Sequence, residues 1–333
     1  MKALVFNMLT IAATFAAMTA CTSESDPVDE VNPHSKEKVE IKLKTGVIDV
    51  TTKAESENGP ISSTDNKQFA NDTPIQLIRW DHSGDLTNLT WTEGSYSQVS
   101  AKASGTAITF DEDQYYTTDG KSTSFIGFYP AIDGSSVTLS SGTVQFTGLT
   151  GKLDILSAKL VNVGNQADPK KEAIQFDHML SQVKIKLSGT TEADELFGKI
   201  TKITLADVPN NINMTFGIKE TAIAIPDKNS KADISVMTST EGSLITSLKE
   251  TYTILVPPSL GTSGNDITIK IETTEHGADN PLTIPISNIG DKGTESGTAN
   301  NITLTFKDKI TVTTGITDWV EGNNNNYDID DSK

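Results

Sequence analysis

Apolar residues recur at every second position over much of this chain, which is the signature of strands with one buried face. Residues 174–187 read IQFDHMLSQVKIKL. They predict a compact Phe-Asp-His-Met-Leu turn, then a strand with Val183, Ile185 and Leu187 inward and Gln182, Lys184 and Lys186 outward. Near the amino end, residues 38–52 read KVEIKLKTGVIDVTT. Val39, Ile41 and Leu43 alternate with Glu40, Lys42 and Lys44; Thr45-Gly46 interrupts, and Val47, Ile48 and Val50 resume. That pattern predicts strand, turn, strand.

Between these stretches, residues 55–72 are polar and read as a long loop. Strands are expected at 74–80, 108–110, 124–129, 137–139, 143–146 and 153–163, with 108–110 paired to 124–129. Roughly seven to nine strands thus precede the polar break at 164–171, the number one sandwich needs. A second set is expected at 200–205, 212–216, 222–225, 234–236, 251–256, 267–271, 282–286, 302–306 and 310–313. One short helix is predicted at 190–197, TTEADELF, where a threonine can cap a first turn that carries acidic residues.

At 333 residues the chain is too long for one ordinary sandwich and comfortable for two. The expected organisation is all-β: a leader over 1–20, a flexible acidic tether over 21–37, sandwiches over 38–171 and 172–320, and a polar tail over 321–333. The tail reads EGNNNNYDIDDSK, which cannot bury a face.

Charge narrows the function classes. A net charge of −17 argues against nucleic acid and anionic membrane surfaces, because both require a basic footprint. Arg79 is the sole arginine. No Gly-x-Ser-x-Gly, His-Glu-x-x-His or phosphate-binding loop is legible, and the four histidines lie in unrelated segments. An enzyme is therefore not expected, nor a cofactor or metal. His178 reads as a structural histidine bonded to backbone at a domain corner. The aromatic residues Tyr115, Tyr116, Phe125, Phe128 and Tyr129 invite a sugar-stacking platform, but alternation assigns them to core. The acidic run 111–113 lacks the features of a calcium loop and reads as a solvated turn.

The single cysteine, Cys21, excludes an internal disulfide. Met1-Lys2 and the apolar run 3–18 have the form of an export signal, too short for a stable membrane helix. Met18-Thr19-Ala20-Cys21 resembles a bacterial lipobox, with Met where Leu is usual, so Cys21 is the expected lipidation site. Cleavage after Ala20 to leave a free thiol is the alternative. Acidic Glu24 and Asp26 after Cys21 resemble a surface-export signal of Bacteroidetes lipoproteins.

Phe176, His178, Leu180, Ser181 and Val183 resemble the F-x-H-x-L-S-x-V pattern of the Bacteroidales fimbrillin-like lipoproteins, the subunits of type V pili. Further segments match the family in the same order: Thr51-Thr52-Lys53-Ala54 and Trp91 with Gly94, then Gly151 with Asp154, Ile155 and Leu156. Ile254-Leu255-Val256-Pro257-Pro258 and Ile316 with Trp319 complete the series. The resemblance implies two tandem transthyretin-like β-sandwich domains in an outer-membrane lipoprotein precursor at the bacterial surface, partnered by other pilus subunits through β-strand addition. It also implies that proteolysis removes the first strand (Val39, Ile41, Leu43) and a neighbour's strand fills the groove. Lys53 lies beyond that strand in polar sequence and is the expected cut for a trypsin-like protease. After Val320 only Tyr327 and Ile329 alternate, too little for a donor strand, which favours a tip or accessory subunit. An anchor subunit and a non-polymerising surface lipoprotein that binds a host or glycan ligand stay open.

Overall fold

The computed structural model describes residues 38–47, 60–61, 68–318 and 324–327. The expected leader and tether, Cys21, Lys53, the resumed strand at Ile48 and Val50, and Trp319 lie outside the described residues.

The first part of the chain supplies β1 (Leu43–Val47), β2 (Phe69–His82), β3 (Ser97–Gly105), β4 (Ala107–Phe110), β5 (Ser122–Tyr129), β6 (Val137–Ser140), β7 (Thr143–Phe146), β8 (Leu156–Ala158), β9 (Val161–Gly164) and β10 (Ala173–His178). The second supplies β11 (Ser181–Gly189), α1 (Thr191–Phe197), β12 (Ile200–Pro209), β13 (Ile212–Phe216), β14 (Thr221–Ala224), β15 (Lys231–Ser243) and β16 (Thr251–Val256). It ends with β17 (Ile267–Thr273), β18 (Leu282–Ile286), β19 (Thr298–Phe306), β20 (Ile310–Asp318) and β21 (Asn324–Tyr327). The expected helix forms, with the Thr190 hydroxyl accepting from the Ala193 amide at 3.4 Å.

The sheets are more entangled than two tandem sandwiches would be. The first runs β2-β3-β4-β1-β10-β8-β5-β9, and β5 also pairs back onto β2. Its ends therefore meet, which removes most free edges. Inside lies a core of Ile41, Leu43, Ile75, Leu77, Phe125, Ile174 and Phe176, among others. The second part stacks β16-β11-β19-β20-β21 on β15-β12-β17-β18, with Val183, Ile185, Leu187, Ile203, Leu205 and Ile269 between.

A fourth sheet, β14-β13-β7-β6, joins one hairpin from each part, and Ile212 of β13 faces Phe146 of β7. It covers a separate core that includes Ile78, Trp80, Ile126, Phe128, Val144, Leu180, Met214 and Leu255. This junction core explains several departures from the alternation reading. Strand β2 is apolar on both faces because Ile75 and Leu77 enter the first core while Ile78 and Trp80 enter the third. Gln182, expected outward, is wholly buried, since the junction also covers the second face of β11 at that end.

Other expectations need correction. Strand β10 pairs with β1 and β8, so residues 173–178 belong to the first sheet, not beyond a boundary at 171. Phe176, assigned to a turn, sits in that strand. Thr45-Gly46 continues β1 and does not turn. Strand β4 pairs with β3 and β1, not with β5. Strand β3 was not anticipated: its inward positions Val99, Ala101 and Ala103 carry too little apolar bulk to stand out. Strand β2 begins at Phe69, inside the expected loop. In the tail, Asn324–Tyr327 pairs along β20.

Candidate assembly site

The exchangeable strand proposed from sequence occupies an interior position, not an edge. From residue 38 to Val47 the chain runs as one ribbon, paired with residues 114–116 at its start and with β4 and β10 further on. Leu43 and Lys44 face Ile108 and Ala107 of β4, antiparallel, while residues 44–47 run parallel to residues 173–176 of β10. Upstream, Glu40 bridges Tyr115. The Ile41 amide donates to Gln114 O at 2.7 Å and the Tyr116 amide donates to Val39 O at 3.0 Å.

Alternation then sorts the side chains. Ile41, Leu43 and Val47 are buried in the first core at 1%, 5% and 3% exposure, whereas Glu40, Lys42 and Lys44 face solvent. Val39, counted among the three anchoring aliphatics, is only half-buried; Val47 takes its place. Between them Thr45 is buried, and its hydroxyl donates to Ile174 O at 2.9 Å. Burying three aliphatic side chains contributes about 5–9 kcal/mol, comparable with the net stability of a domain. The ribbon is thus structurally essential to the first core.

The residues that carry the resemblance meet at the junction of the two parts. Phe176 packs edge-on against Phe69, ring centres 5.1 Å apart, and lies so close to β5 that a Cβ on Gly127 would stand 2.7 Å from its ring. His178 Nδ1 lies 2.7 Å from Asp154 Oδ2, with both side chains about 5% exposed or less. The histidine, read from sequence as bonded to backbone, thus stands against a buried carboxylate. Asp154 Oδ1 in turn accepts from the Ile155 amide at 2.8 Å. Burial and the Asp154 charge push the neighbouring Tyr129 phenol upward. Gly151 O accepts from the Leu255 amide at 2.8 Å, which ties the segment 151–156 to β16. Ser181 Oγ donates to Thr298 O at 3.1 Å and accepts from Asn300 Nδ2 at 2.7 Å.

Most of the aromatic run is core, as alternation predicts. Phe125 and Phe128 are fully buried, and Tyr116 and Tyr129 are 5% and 8% exposed; Tyr115 alone is open at 37%. An open depression of about 590 Å³ includes Leu86, Leu89, Trp91, Phe216 and Lys219 in its wall. Trp91 is committed to its neighbours there, stacked 6.0 Å from Phe216 and edge-on 5.0 Å from Trp80. Among the described residues, no group of three or more His, Cys, Asp or Glu is placed to hold a metal ion. No helix among them is long and apolar enough to cross a membrane.

One group that sequence reading passed over stands beside the ribbon. Arg79 is 8% exposed, and its isolation in an otherwise lysine-only cationic set was the available signal. Sequence could not say what it would touch.

A family profile described as fimbrillin-like matches residues 52–319. No curated protein sequence matches the chain. Among solved structures, a candidate cell adhesion protein from Bacteroides uniformis superposes with a TM-score of 0.57 at 16% identity, covering 86% of this chain and 100% of that one. A candidate cell adhesion protein from Bacteroides ovatus gives 0.53 at 13% identity, covering 86% and 99%. At such identities the likeness is one of fold.

Proposed function

The chain belongs to the fimbrillin-like family, and from that premise we propose that it is a non-enzymatic pilus subunit of the bacterial surface. In this reading it matures from an outer-membrane lipoprotein lipidated at Cys21, keeps two sandwich-based halves, and joins neighbouring subunits when its first strand is removed and replaced. The observation that supports this best is the ribbon's placement. Removing residues 38–47 would open a closed sheet between β4 and β10 and expose the cavity that held Ile41, Leu43 and Val47. An incoming strand would be stabilised there on both sides by backbone pairing and by burial of alternate side chains.

Within this reading we keep a tip or accessory role, which the composition of residues 321–329 supports. Residues 323–326 are four asparagines, and such a segment offers no alternating aliphatics to a neighbour's groove. The glycan-platform alternative loses support because four of its five aromatic residues serve the core.

Mass spectrometry of the amino terminus of fibre-associated protein tests the reading. The expected result is a terminus just after Lys53. Fibre-associated protein that retains Val39, Ile41 and Leu43 would overturn it.

A further inference from the structure

We infer that Arg79 is the positioning residue of a clasp, Gln114–Tyr116, that locks the leading half of the ribbon and controls how readily it leaves. Arg79 follows Ile75 and Leu77 on the inward face of β2, so it ends that face at the mouth of the first core. A buried guanidinium must be neutralised and its donors satisfied. Asp81 supplies the charge: Arg79 Nε donates to both carboxylate oxygens at 3.1 Å and Nη2 to Oδ1 at 3.0 Å. Asp81 Oδ1 also accepts from the Thr123 hydroxyl at 2.6 Å, which holds the pair against β5.

The remaining donors reach a segment distant in sequence. Nη1 donates to Gln114 Oε1 at 3.1 Å, and Nη2 to Tyr115 O at 2.7 Å. The same three-residue strap then pairs with the ribbon through Gln114 O and the Tyr116 amide, their partners being the Ile41 amide and Val39 O. The Tyr116 ring is buried in the first core, and its hydroxyl donates to Val163 O at 2.8 Å. From outside, Lys38 Nζ stands 5.6 Å from the centre of the Tyr115 ring. The ribbon therefore has two separately secured halves. Residues 43–47 depend on β4 and β10, and residues 38–41 depend on a short strap that Arg79 fixes at Gln114 and Tyr115 and the buried Tyr116 ring anchors at its far end.

Lysine would keep the charge at this position but not the planar fork that serves Asp81 and two strap acceptors together. Only the consequence for assembly rests on the strand-exchange reading; the local coupling does not.

Hydrogen exchange on the full chain tests it, comparing the parent with Arg79→Lys and Gln114→Ala. Losing charge-assisted bonds to the strap should speed exchange at the Ile41 and Tyr116 amides by about tenfold or more in Arg79→Lys. Amides paired between β11 and β16, such as Val183, should be unchanged. Gln114→Ala removes only one strap contact and should shift the same two amides by a smaller factor; it also serves if Arg79→Lys does not fold. Unchanged exchange at Ile41 and Tyr116, or an equal rise throughout the chain, would overturn the inference. Failure of the parent chain to form fibres would count against the proposed function and leave the exchange result standing.

Discussion

His178 Nδ1 sits 2.7 Å from Asp154 Oδ2 in a site closed to solvent on both sides, and it links two segments that are separate in sequence. Asp154 precedes β8, and His178 ends β10, just where the chain leaves the first sheet for the second. The Met179 amide, one residue on, donates to Ile155 O at 2.8 Å. The crossing between the two parts is thus held by a buried histidine–carboxylate contact and a backbone bond in parallel.

Breaking that pair from one side leaves an uncompensated buried group. Asp154→Ala should destabilise the protein by about 3–5 kcal/mol in urea unfolding. His178→Ala combined with Asp154→Ala should cost less than the two single losses together. Strict additivity would show that the two side chains do not depend on each other.

The ribbon makes a paired prediction. Ile41→Ala, at 1% exposure, should cost about 2–5 kcal/mol. Lys42→Ala, next to it but facing solvent beside Glu40, should cost under about 1 kcal/mol. Equal effects at the two positions would mean that the ribbon does not contribute to the core as described.

Gly127 faces a different constraint. A methyl group there would meet the Phe176 ring at 2.7 Å and Leu77 Cδ2 at 3.0 Å. Both lie in the packed first core, so Gly127→Ala should cost about 1–3 kcal/mol through overpacking. A thermal midpoint unchanged by the substitution would contradict the close approach.

Shared sheet β14-β13-β7-β6 and its core should couple the two parts thermodynamically. Unfolding followed by tryptophan fluorescence in a Trp319→Phe background, which leaves Trp80 and Trp91 at the junction as reporters, should coincide with unfolding followed by backbone circular dichroism. Ile212→Ala should shift both curves by the same amount. Two resolved transitions would show that the halves fold independently.

Beside the clasp, the Asp119 carboxyl is held down to about 2, from 3.8, chiefly by its hydrogen bond from the Lys121 ammonium 2.7 Å away. A depressed folded-state value means that the stabilisation is complete above the unfolded value near 3.8 and is lost as pH falls towards 2. A carbon-detected titration should place the Asp119 midpoint near 2, and Lys121→Ala should raise it. A parent midpoint close to 3.8 would rule the contact out in solution.

Much of this was legible before any coordinates. Val183, Ile185 and Leu187 alternate with polar residues and are wholly buried. The α-helix found among the described residues lies where a threonine cap and an acidic first turn predict it. Alternation failed where one strand serves two cores: Gln182 is buried because Leu255 and Ala299 flank it in adjacent strands that share the junction. It also failed at Val99, Ala101 and Ala103, whose small side chains suffice inside a tightly curved sheet yet give almost no sequence signal.

Local pattern by itself determined that this is a strand-built chain, which faces of most strands turn inward, and that residues 39–43 form an apolar ribbon near the amino end. Those properties depend on neighbours within a few positions, where side-chain period and backbone geometry are coupled directly. Only the tertiary structure decided that the ribbon lies between β4 and β10, that Asp154 answers His178, and that Arg79 reaches Gln114 and Tyr115. Each of these is a pairing across 20 to 130 residues. Such pairings are chosen by how whole sheets close and stack, which no short window of sequence encodes.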